Sequence, residues 1–189
     1  MNNTFQQTKT IIIEELNESL SRIDNQEVEK IINEIVLANR VFVTGAGRMG
    51  IMMSTFSMRL NHLGFSSYIV GSINCPPITD GDLLIVASSS GETATIREIS
   101  VLAKNKGAKI ALITAVPNST IGKIDSLSMK IEAPSSLVSE EGHNLQSRQP
   151  MKTLFEQTLF IVLESMVLMH IEHTGQSIVE MAKRHANLE

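Results

Sequence analysis

Cysteine is nearly missing from this chain: Cys75 is the only one among 189 residues. An intramolecular disulfide is therefore excluded, and so is a zinc centre built on cysteine pairs. The neighbours of Cys75 in "NCPP" supply neither a histidine nor a helix start that would activate a thiolate, so a packing or loop role is expected. Blocks of basic residues are missing too. Lysine and arginine total 16 against 20 acidic residues, a formal net charge of −4, and they are scattered, which leaves no footprint for a nucleic-acid partner. The amino terminus "MNNTFQQTKT" is polar and does not resemble a secretory signal. The most apolar segment, "TLFIVLESMVLMH", is interrupted by Glu164 and reads as too short for a bilayer span. No internal repeat or low-complexity stretch is present. His170 and His173 are three apart, but without a matching acidic pattern they read as a solvated helix end, so no metal and no cofactor is expected. Together these features predict a soluble, cytoplasmic protein with no membrane or nucleic-acid partner.

The length suits one compact domain with a real core. Residues 1–40 read as a helical pair, with Ile12, Leu16, Leu20 and Ile23 and then Val28, Ile31, Ile32 and Ile35 at helical spacing. "DNQE" at Asp24 to Glu27 reads as a capping box between them. From 41 to 133 the period changes. Short continuous apolar runs at Val41–Gly45, Ser66–Gly71, Asp82–Ser88, Lys109–Val116 and Leu127–Ala133 predict strands of a sheet buried on both faces, with helical patterns between several of them. The fold class is α/β: a three-layer sandwich with a five-stranded parallel sheet flanked by helices. Residues 134–189 read as a long loop, a helix from about Lys152 to Glu172 that is apolar nearly all round, and a short terminal helix.

Two strand-to-helix turns carry the chemistry. "GAGRMG" (Gly45 to Gly50) fits a G-x-G-x-x-G pattern, yet the next run ends "YIVGS" and offers neither the acid nor the arginine that a dinucleotide site wants. What survives is a tight turn at a helix N-terminus, where Gly47 lets a ligand approach and Arg48 is placed to contact phosphate or sugar oxygens. The second turn, "SSSGET", offers the hydroxyls of Ser88, Ser89, Ser90 and Thr93 around Gly91 at another helix start. A single hydroxyl would suffice as a cap. Four, with unspent N–H groups and a favourable dipole, suit a phosphate monoester with no metal.

"GAGRMG", "MRLNHLGF" and "DLLIVASSSGET" together resemble a sugar isomerase (SIS) domain from about Val41 onward. "SRQPMKTLFEQTLFI" and the terminal "RHANLE" resemble, more narrowly, the 6-phospho-3-hexuloisomerases. That resemblance implies a flavodoxin-like fold and interconversion of D-arabino-3-hexulose 6-phosphate and fructose 6-phosphate, a step of formaldehyde fixation by the ribulose monophosphate pathway. It further implies Glu156, of "LFEQ", as a base whose pKa partial burial would raise, and His185, of "RHANLE", as a second catalytic group that a neighbouring subunit supplies in a tetramer. Three places depart from the family pattern: Met49 stands where a serine is common, Lys152 where a glycine is common, and Ser89 where the phosphate turn often has a glycine. The arabinose 5-phosphate isomerases carry a His-Gly-Asp segment where this chain has "NCPPITDGD", and sugar-phosphate-sensing regulators carry a DNA-binding region that the first forty residues do not resemble. Another SIS phosphosugar isomerase, of the arabinose 5-phosphate type, and a stand-alone sugar-phosphate-binding protein are the alternatives. His143, in the long loop, is a further residue within reach of such a site.

Overall fold

A computed structural model describes residues 4–124, 127–134 and 145–188; His143 lies outside them. The chain runs α1 (Phe5–Ser21), α2 (Asn25–Leu37), β1 (Val41–Gly45), α3 (Arg48–Leu63), β2 (Ser67–Ile69), β3 (Leu83–Ala87), α4 (Ala94–Asn105), β4 (Lys109–Thr114), β5 (Leu127–Lys130), α5 (Thr153–Thr174) and α6 (Ile178–Ala182). All strand pairings are parallel and the order is β2-β1-β3-β4-β5. This is the predicted five-stranded sheet in its flavodoxin-like order.

Side-chain alternation along the continuous apolar strands feeds two cores. Val41, Val43, Leu83, Ile85, Ala87, Ala111 and Ile113 face the larger core, which α1, α2, α3 and α5 cover. Phe42, Leu84, Val86, Ile110 and Leu112 face the smaller one, closed by Ile96 and Ala103 of α4 and by Ile121. A strand buried on both faces has no polar side to show, which is why the period-2 signal is absent from its sequence. Cys75 packs against the smaller core as a half-buried side chain, the packing role expected of it.

Several boundaries differ from expectation. β2 keeps only three of the six residues predicted for it. Asp24 caps α2 by accepting from the Gln26 N–H (2.8 Å), while the reciprocal capping box forms instead at Thr4 and Gln7, at the start of α1. The expectation about span length is corrected: α5 has 22 residues and by length and composition alone could cross a membrane. In this fold it is a core helix. Leu154, Phe155, Leu159, Val162, Leu163, Met166 and Val167 are buried against the larger core, and Thr158 donates to Ser19 of α1 (3.1 Å), which itself donates to the Glu132 carbonyl (2.8 Å).

At the amino ends of the strands an ion pair fastens β1 to β3. Arg40 donates from Nε (3.0 Å) and Nη2 (2.7 Å) to the two oxygens of Asp82, and the Thr79 N–H donates to the same carboxylate (2.7 Å). Burial by itself raises the pKa of Asp82. The hydrogen bonds from Arg40 and Thr79 overcome that and hold it below the usual carboxylate range.

Candidate active site

The strand order reverses between β1 and β3. α3 leaves β1 for the larger core and α4 leaves β3 for the smaller one, so the turns after these strands diverge at the carboxyl edge of the sheet. Open α/β sheets bind ligands at this place. The register that sets Gly45 beside Ala87 brings both sequence motifs to it.

In the first turn, two glycines serve packing. A Cβ on Gly50 would lie 2.6 Å from the Gly45 carbonyl oxygen, so helix and strand close only because both residues lack side chains. Gly47 is different. Its φ of 58° and ψ of −132° belong to a region that L side chains rarely enter, while a Cβ there would meet nothing within 4 Å. Conformation, not space, demands glycine, and the surroundings stay open. α3 starts here without a side-chain cap, with Arg48 as its first residue. Met49 turns the other way, into the larger core. The residue at this position therefore contributes packing to the core.

In the second turn the hydroxyls divide. Ser88 is buried and builds the turn: it accepts from the Gly91 N–H (3.2 Å) and lies 3.4 Å from the Thr93 hydroxyl. Ser89 is 0% exposed, and its hydroxyl has no hydrogen-bond partner among the described residues. Its carbonyl accepts from the Ala115 N–H (2.9 Å) and the Thr114 hydroxyl (3.1 Å), which fixes the turn to the segment after β4. Ser90 and Thr93 keep partial access to solvent. Thr93 is the N-cap residue of α4, yet its side chain makes no capping bond. Simple helix capping therefore does not account for it, and the amide groups of the first turn are left for another acceptor.

Glu156 comes to the same edge from the opposite side. α3 and α5 run in the same direction, joined by Arg48 Nε to Glu156 Oε2 at 2.8 Å and by Arg59 Nε to Glu164 Oε2 at 3.5 Å. The N-terminus of α5 therefore stands beside that of α3. The Glu156 side chain is only 11% exposed, whereas that of Arg48 is 56% exposed. The result is a buried carboxylate whose cationic partner reaches out toward solvent beside the open Gly47 turn. Such a pair can hold a proton acceptor in place and present a guanidinium to an incoming anion.

His185 is not part of this cluster. It stacks on His62, near the C-terminus of α3 (ring centroids 5.1 Å apart, 28° between planes). Arg48 and His62 are about 21 Å apart along the helix at 1.5 Å per residue. One chain thus gathers Gly47, Arg48, Ser88, Ser89, Ser90, Thr93 and Glu156 at one edge and carries His185 elsewhere. His170 rests on Phe65 (5.1 Å), and burial, with a smaller push from the His173 charge, lowers its pKa.

Two supporting acids escaped the sequence reading. Glu92, in the second turn, accepts from the Thr120 N–H (2.7 Å). That bond, aided by the Thr120 hydroxyl, holds the Glu92 carboxyl below the usual range and ties the turn to the segment after β4. Glu15 of α1 accepts from the Ser147 hydroxyl (2.6 Å), the Arg148 N–H (2.8 Å) and the Gln149 side-chain amide (3.1 Å), so it anchors the segment that leads into α5. The acid inside "SGET" was a visible signal for the first. Nothing in the sequence marks Glu15 among the acids of α1.

Comparison with known proteins identifies the family. The SIS domain model matches residues 34–171. The chain is 38% identical over 178 residues to a 3-hexulose-6-phosphate isomerase of Bacillus subtilis, covering 94% of this chain and 95% of that one. It is 36% identical over 181 residues to the protein of the same name from Mycobacterium gastri, covering 95% and 89%. Among solved structures, a Methanococcus jannaschii protein, whose crystal structure is described as inferring a molecular function of 3-hexulose-6-phosphate isomerase, superposes with a TM-score of 0.81 at 28% identity, covering 96% of this chain and 99% of that one. With a family model matched over residues 34–171 and relatives of 36–38% identity covered nearly end to end, the chain belongs to the SIS domain family.

Proposed function

We propose that this chain is a 3-hexulose-6-phosphate isomerase, interconverting D-arabino-3-hexulose 6-phosphate and fructose 6-phosphate. The observation that carries the reading is the buried Glu156 carboxylate, paired with Arg48, at the same sheet edge as the hydroxyl-rich turn. The ester phosphate sits at Ser90 and Thr93, against the uncapped N-terminus of α4, with the unpartnered Ser89 hydroxyl below. Arg48 contacts phosphate or sugar oxygens.

Glu156 removes the proton from C2 of the 3-ketose, and the electron pair moves into the C2–C3 bond to give a cis-enediolate. The proton on the C2 oxygen passes to the C3 oxygen, and Glu156 returns its proton to C3. The carbonyl has then moved from C3 to C2 with no atom gained or lost. His185 serves the enediol oxygens as proton relay. It comes from a neighbouring subunit, because its own chain holds it at the far end of α3. The surface that brings subunits together is the outer side of α3 and α5, where Ile51 (64%), Met58, Phe160 and Leu168 (55%) stand exposed although large and apolar. The expected assembly is a tetramer. Its location is cytoplasmic, since the charge of a phosphorylated sugar confines it to the compartment in which it is made.

The test is direct. The purified protein is incubated with 3-hexulose 6-phosphate and fructose 6-phosphate is followed, with Glu156→Gln alongside. Conversion by the wild type alone supports the reaction and its base. Conversion by both variants rejects Glu156 as the base. Tight phosphosugar binding without conversion moves the chain to another sugar or to the binding-protein alternative.

A further inference from the structure

We infer that the C-terminus of α3 is a seat that presents His185, with His62 and Arg184 as positioning residues acting through it. This rests on the proposed role of His185, and it adds what holds that residue in place.

The end of α3 is finished by the tail of the chain. Gly64 closes the helix in the left-handed conformation, its N–H bonding back to Asn61 and Leu60. The carbonyl groups of the last turn are then taken by side chains far along the sequence. Arg184 Nη1 donates to the His62 carbonyl (3.0 Å), and Gln176 Nε2 donates to the Leu63 carbonyl (3.1 Å). The Arg184 guanidinium also lies flat over Gly64, where any Cβ would sit 3.4 Å from its central carbon. A cation at a helix C-terminus meets the negative end of the dipole, so this placement is favoured electrostatically as well as by the bond. The next residue, His185, lays its ring on that of His62, which is itself buried, and its Nδ1 is 2.9 Å from the Ala186 carbonyl.

The arrangement has a clear division of labour. A histidine in a five-residue terminal helix and its trailing segment has no intrinsic reason to stay in one rotamer. Stacking against a buried ring removes that freedom, and the Arg184 bond fixes the backbone one residue earlier. Both rings border a groove of about 400 Å³ between α3, β2 and the tail, lined also by Asn61, Tyr68 and Asn74. The seat itself is stiff. The Asn61 side chain accepts from the Ser67 N–H (3.1 Å) and donates to the Ser57 and Ser67 carbonyls (3.0 Å each), which locks the end of α3 to β2. His62 is therefore a rigid platform on which a catalytic imidazole is presented outward.

The experiment is a double-mutant cycle in kcat with 3-hexulose 6-phosphate. His62→Ala and Arg184→Met are each expected to lower kcat between about 10- and 100-fold with KM little changed, the size associated with small misplacement of a reacting group. His62→Phe, which keeps a ring to stack on, and Arg184→Lys, which keeps a cation and a donor, are expected to recover most of that loss. Placed on a His185→Ala background, His62→Ala and Arg184→Met are expected to cost nothing further. The seat is overturned if His185→Ala collapses kcat while His62→Ala and Arg184→Met leave it intact, or if their losses persist undiminished on the His185→Ala background. Wild-type kcat in His185→Ala would instead remove the role of His185 itself, and the seat with it. Melting temperatures separate misfolding from mispositioning, and Arg184→Met alone decides the matter if His62→Ala does not fold.

Discussion

Glu156→Gln and His185→Ala should each be inactive alone and active together. The perturbation removes the base from one population of subunits and the relay from the other. Within one chain the two groups cannot meet. Arg48, which holds Glu156, and His62, which holds His185, are about 21 Å apart along α3, and side chains leave a helix sideways and lean the same way, so the contacts at either end do not close the gap. Proton transfer needs about 3 Å. Each homo-oligomer should lose roughly 10²-fold to 10⁴-fold in kcat, the worth of a positioned acid or base. After the two are dissociated, mixed in equal amounts and reassembled, a site works when its base comes from a His185→Ala subunit and its relay from a Glu156→Gln subunit. Random assembly makes that about one site in four, and so about a quarter of wild-type kcat. The assay is fructose 6-phosphate formation before and after mixing, with native mass spectrometry confirming subunit exchange. Exchange without recovered activity would refute the shared site.

Three further outcomes follow from the same geometry. Ser90→Ala combined with Thr93→Ala removes the two accessible hydroxyls of the second turn. At about 1.5–3 kcal/mol for each hydrogen bond to a charged group, sugar-phosphate affinity by calorimetry should fall roughly 10²-fold or more, and an unchanged Kd would reject the phosphate turn. Gly47→Ala forces a side chain into a conformation that costs about 1–3 kcal/mol although space is free, so the melting temperature should drop and kcat/KM fall with it; a silent variant would show that the turn relaxes at no cost. Asp82→Asn should lower the melting temperature by a few degrees, because it takes the counter-charge from the half-exposed Arg40 and leaves a neutral amide in the buried position. Because the folded pKa of Asp82 is lowered, its contribution is in place above the ordinary carboxylate pKa of about 3.9 and is lost as pH falls through the folded value. Acid unfolding of the wild type should therefore be steeper than that of Asp82→Asn, and parallel curves would contradict the assignment.

The sheet was legible because strands buried on both faces must be apolar throughout, and runs such as "LLIVA" admit few other readings. The two turns were legible because glycine and hydroxyl residues cluster there for local reasons. What could not be read was distance. Ser88 and Ser90 look alike in "SSSGET" and each accepts a turn N–H, yet Ser88 is buried and Ser90 keeps access to solvent; that difference depends on the direction of the backbone after β3. Glu156 and Arg48 are more than a hundred positions apart, and only the parallel course of α3 and α5 makes them a pair. Likewise His62 stands unmarked within "MRLNHLGF": it is buried, and only the tail stacked on it gives the position a meaning beyond packing.

α5 shows why its sequence has no polar face to read. A helix on the outside of a monomer needs one, and a helix sealed within a core does not. α5 is buried along one side by α1, α2 and α3, yet its other side still carries Phe160 and Leu168, large and exposed. If that outer side met only water, selection for solubility would act against residues of this kind lying together with Ile51 and Met58 of the adjacent α3. The two ion pairs that join α3 to α5 lie on the seam between these apolar residues, Arg48 with Glu156 and Arg59 with Glu164. Association over that seam would cover its charged groups as well as its apolar ones. The base would then work in a site from which water is excluded, where a paired carboxylate and guanidinium act on each other more strongly than at an open surface. On this reasoning, assembly and catalysis depend on the same strip of surface: a charge placed at Phe160 or Leu168, neither of which the mechanism uses, should cost activity in proportion to the oligomer it disperses.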